Sequence, residues 1–375
     1  MTELLDSPSI QPTSEATGGL VDVLDDIVKK VEIRSDFSIH HPDYKPFELP
    51  AQAVERFQKM PEAMQQKYLS LQLRSFLYGI YYNGSMRTTK ALDGEGNGLP
   101  LDLENNTVLG VDLQFYQRLH DSNCGTGYFD AGWSVIREES DGFLAVTKGG
   151  LRLHIERDKH LQPDQQAAVV GEKVAIRMPK NLVQNGFYMA VGNLGSNRVQ
   201  EKDADSVLVR IYFNVTPEGA VAVMGTLTQQ LNERAIPFSF KVLYNPKDYE
   251  RYDSGVLYFD KRDYEGVRDV VQGVLAEARQ RRSHFKPEVP LFTMQLGLGL
   301  GLAEEPDQKF ASVESFGMNR CQIIANGLLQ AWHQGNQEPE ERMNAIAQQF
   351  SVLAIDLQRP YLNPGSEDIY TWSAQ

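Results

Sequence analysis

Cysteine is nearly missing from this chain: Cys124 and Cys321 are the whole supply in 375 residues. Two thiols cannot build a disulfide framework, and no Cys/His spacing resembles a zinc site, so a disulfide scaffold and a zinc module are both excluded. Long apolar runs are missing too. No segment approaches the roughly 18 apolar residues of a membrane span. The N-terminus has no cationic stretch leading into an apolar run, so no secretory signal is expected. Positive charge is in deficit, with 37 Lys and Arg against 50 Asp and Glu and a formal net charge of −13. Gripping a nucleic-acid backbone needs a summed positive field, so nucleic acid is excluded as a partner, whereas a local cationic pocket is not. Gly-x-Ser-x-Gly, Walker and kinase signatures are absent, and His40-His41 has no companions at metal-ligand spacing. The expectation is a soluble cytoplasmic protein with no metal, no cofactor and no membrane partner.

Hydrophobic residues make up 41% of the chain and aromatic residues 10%, too rich for disorder. The length suits two packed units or one elaborated core. Residues 1–19 carry Ser, Thr, Pro and Gly and read as a flexible tail, and Leu20, Val23, Leu24 and Ile27 then recur at helical spacing. Pro42, Pro46 and Pro50 make 36–50 an extended connector. Residues 51–82 are helical in pattern, and 83–105 form a long polar loop. After a helix over 113–120 and a break at Gly125–Gly127, the period shifts towards two. Residues 133–137, 143–148 and 151–155 read as strands joined by turns at Asp141-Gly142 and Gly149-Gly150, with further strands over 173–179 and 187–191.

The clearest block follows. Residues 207–215 read as a strand and 217–233 as a helix with Thr216 as N-cap and Pro217 in its first position. Residues 238–243 and 255–259 are strands, and 263–280 and 318–332 helices. A loop runs between those helices through Pro287, Pro290 and Gly297, Gly299 and Gly301. The remainder holds one helix and a loose end. The fold class is α+β, with a twisted, mostly antiparallel sheet and flanking helices in the C-terminal half and a helical plus β N-terminal half. The divisions are a tail 1–19, a region 20–180, an α+β domain 181–335 and an extension 336–375.

Alternation puts Val209, Ile211, Phe213 and Val215 on one face of the first strand of that block and Arg210, Tyr212 and Asn214 on the other. Such a polar face is either solvated or part of a site. Lys241 sits in the apolar run Phe238–Leu243. It is either an edge gatekeeper or a lysine whose lost solvation, with nearby cations, favours the neutral amine. Arg251 and Arg320 are each either ion-pair partners or parts of an anion clamp, since guanidinium forks match phosphate oxygens. The Gly297-x-Gly299-x-Gly301 run lacks the spacing of a dinucleotide fingerprint and reads as a pliable loop beside a pocket.

Several stretches carry a resemblance: Phe187–Gly192, Val209–Asn214 with Thr216–Ala220, Phe238–Leu243, Tyr252–Tyr258, Pro290–Thr293, Gly299–Glu304 and Ser315–Cys321. In them the chain resembles the HopA-type effector family, which comprises type III secretion effectors of plant-pathogenic bacteria and lyase proteins of class V lanthipeptide biosynthesis. A more distant similarity is to the phosphothreonine lyases that enteric pathogens inject into host cells. These eliminate phosphate from Cβ, with a lysine as base, a histidine as acid and cations around the phosphate.

The resemblance implies Lys241 as the base and Arg210, Arg251 and Arg320 as phosphate ligands. Tyr212 stands where the family has its histidine, so the acid is Tyr212 or His154 from another strand, or the protein binds phosphate without turnover. The substrate implied is a phosphorylated peptide or protein. The partner is a separate kinase in lanthipeptide maturation, and in the effector case the protein is exported by a type III system. The alternative is a non-catalytic phosphopeptide-binding or interaction protein.

Overall fold

The structure is a computed structural model and describes residues 15–87, 107–108, 110–196, 206–280 and 284–372. Residues 1–14 of the expected tail and most of the expected loop 83–105 lie outside the described residues. The chain forms two compact units, one from residues 1–101 with 289–369 and one from 102–288 with 370–375. The sequential boundaries at 180 and 335 do not coincide with this division. The first unit recruits distant parts of the chain, which local periodicity cannot register.

The first unit opens with α1 (Glu15–Lys30), which begins inside the expected tail and buries Leu24, Ile27 and Val28. Strands β1 (Glu32–Ile33), β2 (Ile39–His41) and β3 (Tyr44–Phe47) form a small antiparallel sheet where an extended connector was expected. The prolines are compatible with it because Pro42 falls in the turn and Pro46 on the edge strand, where no central ladder bond is lost. Pro61 divides the expected 51–82 helix into α2 (Ala51–Gln58) and α3 (Glu62–Leu77), and one π-helical turn (Tyr78–Tyr82) extends the latter.

The second unit starts with the short pair β4 (Thr107–Val108) and β5 (Val111–Asp112), then α4 (Leu113–Ser122), whose first turn is capped by the Asp112 carboxylate. Strands β6 (Tyr128–Glu138), β7 (Leu144–Lys148), β8 (Leu151–Ile155) and β9 (Lys173–Met178) make an antiparallel sheet in the order β8-β7-β6-β9. Trp133, Val135, Leu144, Val146, Ile155, Val174 and Ile176 fill its core. Gly149 and Gly150 both have positive φ, as the two-residue β7–β8 turn requires.

A second antiparallel sheet contains β10 (Asn181–Gln184), β11 (Phe187–Val191), β12 (Leu208–Phe213), β13 (Ser239–Leu243) and β14 (Gly255–Asp260), in the order β10-β11-β13-β14-β12. Helix α5 (Pro217–Glu233) follows β12, and α6 (Tyr264–Gln280) follows β14. The Thr216 hydroxyl caps α5 by accepting from the Gly219 N–H at 3.1 Å. One sheet face is buried: Tyr188, Ala190, Val209, Ile211, Phe213, Phe240, Val242, Leu257 and Phe259 are inaccessible to solvent. Each Val, Ile, Leu and Phe side chain among them gains about 1.5–3 kcal/mol from burial. Helix α5 packs on β13 and on α6.

The chain then completes the first unit with the hairpin β15 (Met294–Gly297) and β16 (Leu300–Glu304), followed by α7 (Phe316–His333) and α8 (Pro339–Val352). The hairpin replaces the expected glycine-rich loop. Gly299 has a positive φ at the turn, and Leu296, Leu300 and Leu302 are buried. Helices α7 and α8 approach so closely that a Cβ on Gly327 would lie 2.6 Å from the Ile346 Cα. The expected loose end is packed as well. The buried Glu304 carboxylate accepts from the Asn363 N–H and the Ser366 hydroxyl, both at 2.8 Å.

Candidate functional site

Antiparallel register decides which side chains share a face, because directly paired residues project to the same side. Tyr212 pairs with Val256, Val256 with Lys241, Lys241 with Met189 and Met189 with Leu182, which gives one row across five strands. Arg210 pairs with Tyr258 and Tyr258 with Ser239, which gives a second row on the same face. Arg210 and Tyr212 on β12 and Lys241 on β13 are therefore brought to the face opposite the apolar core. Phe187, two residues from Met189, joins them.

The side chains interleave cation with ring. The Arg210 guanidinium carbon lies 5.0 Å from the centre of the Tyr258 ring, and the Lys241 ammonium nitrogen lies 5.4 Å from the same ring. That nitrogen is also 4.5 Å from the centre of Phe187, whose ring has the Arg251 guanidinium carbon at 5.8 Å. All four distances fall within cation–π range. Two rings thus hold three cations that would otherwise repel one another. Lys241 is half-buried, and among the described residues it has no carboxylate partner.

Arg251 precedes β14 and is positioned by Asp253. Its Nε and one terminal nitrogen donate to the two carboxylate oxygens at 2.5 and 2.8 Å. Asp253 is itself 5% exposed, so the fork is held by a buried anchor. Burial pushes the nearby Asp248 carboxyl above its ordinary value, against the opposing pull of Arg251.

The other candidates lie elsewhere or deeper. Tyr212 is 2% exposed, with a buried hydroxyl. His154 is on β8, in the other sheet, where its exposed ring faces the Glu139 carboxylate at 3.0 Å. Arg320 is on α7 in the first unit and 1% exposed. It donates to the Pro360 carbonyl at 2.8 Å, the Leu362 carbonyl at 3.0 Å and the Asn319 side chain at 2.6 Å. That is the bonding of a residue anchoring the C-terminal segment.

Phe187, Tyr258 and Asp253 were assigned no role by sequence reasoning. An acid two residues after Arg251 was the available signal for Asp253. The rings needed the strand order, which no local pattern supplies. Among the described residues no cluster of His, Cys, Asp and Glu could hold a metal ion, and no helix is long and apolar enough to cross a membrane.

The model of the HopA1 effector protein family matches residues 178–362. No curated protein matches the chain. Among solved structures, the effector protein from Pseudomonas syringae pv. tomato strain DC3000 is similar at 17% identity and a TM-score of 0.40, covering 67% of this chain and 80% of that one. The effector protein from Pseudomonas syringae pv. syringae strain 61 is similar at 16% identity, with the same TM-score and coverage. The matched segment takes in strands β10 to β14 with their row of cations, and over it the chain is similar to the HopA1 effector protein family.

Proposed function

We propose that the cation-bearing sheet face is the site of a phospho-Ser/Thr lyase acting on a peptide or protein by β-elimination. The observation that carries this reading is the placement of Lys241, without a carboxylate partner among the described residues, against two aromatic rings that also carry Arg210 and Arg251. Lys241, once it has given up its own proton, takes the Cα proton. The Cα–H electron pair forms the Cα–Cβ double bond, and the Cβ–O bond breaks with its pair leaving on phosphate. The net proton transfer is from Cα to phosphate, so no water is consumed. Arg210 and Arg251 stabilise the charge that builds on the leaving group in a site partly closed to solvent. Of the two candidate acids we take Tyr212, in the Lys241 row, as the donor to the departing oxygen. His154, on the other sheet and paired with Glu139, is set aside for that role.

The test is mass spectrometry of a phosphothreonine peptide incubated with the protein. Elimination removes the elements of phosphoric acid, a phosphatase restores the hydroxyl, and a binding module leaves the mass unaltered. Lys241→Ala is expected to abolish elimination while peptide binding persists. Turnover by that variant would remove Lys241 from the role of base.

A further inference from the structure

We infer that the phosphorylated peptide crosses the sheet from the β10 side and that Leu182 and Met189 form an apolar subsite selecting a non-polar residue beside the phosphoresidue; this rests on the phosphopeptide reading above. The first support is a gradient of exposure along the face. At β12, Arg210 and Tyr212 are 8% and 2% exposed, and at β14 Val256 is 3% exposed. Lys241 on β13 and Phe187 and Met189 on β11 are half-buried, and Leu182 on β10 reaches 39%. Along this row exposure rises from β12 to β10, so the β10 side is the one that a peptide reaches from solvent.

The second support is register. Leu182, Met189 and Lys241 lie in a single cross-strand row, so the apolar pair continues directly from the ammonium group towards solvent. Leu182 is two strands from Lys241, about 10 Å at the usual strand spacing. An extended peptide covers that distance in about three residues. The inference therefore fixes the chemistry and the distance: an apolar side chain two or three positions from the phosphothreonine, packed on Leu182 and Met189. An exposed leucine on a sheet edge is common by itself. Its place in the row that holds Lys241 is what gives it an occupant.

Two fluorescein-labelled phosphothreonine peptides test this. They are identical except for leucine or serine three residues from the phosphothreonine, and peptides with the change on either side cover both chain directions. Binding is measured by polarisation and turnover by mass. Wild type is expected to prefer the leucine peptide by about tenfold, the scale of small apolar pockets. Leu182→Asp and the milder Leu182→Ala are expected to lose most of that preference while binding the serine peptide within about twofold, and thermal melts check that both variants fold. An equal affinity of wild type for the two peptides, or a preference that survives Leu182→Asp, overturns the subsite. Turnover without the leucine preference sinks the subsite alone. A Leu182-dependent preference without mass loss sustains the subsite and sinks the lyase reading.

Discussion

Replacing Arg320 with alanine separates an anion ligand from a structural clamp. The guanidinium donates to the carbonyls of Pro360 and Leu362 and to the Asn319 side chain, all inside the first unit. Truncation orphans three buried acceptors, and each costs roughly 1–3 kcal/mol when left unsatisfied. These costs do not add in full because the 360–366 segment can lift and hydrate, so a loss on the order of 3–5 kcal/mol is expected. That is a large share of the 5–15 kcal/mol typical of a whole domain.

Urea unfolding gives the global loss, and hydrogen exchange at the Asn363 amide, which donates to buried Glu304, shows where the loss is felt. Exchange there should speed up in Arg320→Ala before the sheet from β10 to β14 is affected. Arg320→Lys keeps the charge but not the planar fork, and should recover only part of the stability. A variant within about 0.5 kcal/mol of wild type in urea that no longer binds a phosphopeptide would refute the argument and return Arg320 to the phosphate.

Two further outcomes follow from local geometry. Ala235 and Ala354, just past the ends of α5 and α8, have φ of +53°, a left-handed conformation that costs a residue with a Cβ about 1 kcal/mol. Ala235→Gly and Ala354→Gly should each raise the urea midpoint, and a lowered midpoint would show that the alanine methyl groups contribute more packing than strain. In the first unit the His41 Nδ1 accepts from the Asp43 N–H at 3.0 Å, and Nε2 lies 2.8 Å from the Tyr81 hydroxyl, which donates to Asp26. Burial pushes the His41 imidazole below its ordinary value of 6.5, assisted by Lys30 and opposed by Asp43 and Asp26. The unfolded chain then binds the extra proton first, so stability is complete above about pH 6.5 and declines as pH falls below it. The slope of stability against pH between 7 and 5 should flatten in His41→Gln, and an unchanged slope would assign it to other groups.

How legible all this was depended on the range of the interaction. Thr216 and Pro217 announced α5 because a cap and a first-turn proline act within four residues. The common face of Arg210 and Tyr212 was readable because alternation along one strand is local. The rings between the cations were not, since Phe187 meets Lys241, and Tyr258 meets Arg210, only after strands from four places in the chain have taken their order. The hairpin at 294–304 was hidden by its own glycines: Gly299 serves the turn, while the Leu296, Leu300 and Leu302 that anchor the strands are scattered among residues that read as breakers. The C-terminal segment looked loose because it is held by its backbone, through Glu304 and Arg320, and backbone partners leave no mark on side-chain composition.

The first unit has its own consequence for biosynthesis. Its core needs α7, α8 and the 360–366 segment beside α1 and α3, yet the whole second unit is encoded between them. On a ribosome, residues 102–288 can emerge and close around their own sheets while α1 and α3 still wait for partners. Those early helices depend on chaperoning or on their own collapse until the last stretch of chain arrives. A premature stop codon after α8 would leave Glu304 with neither the Asn363 N–H nor the Ser366 hydroxyl, and the cell would inherit an intact cation-bearing sheet attached to an unfinished neighbour.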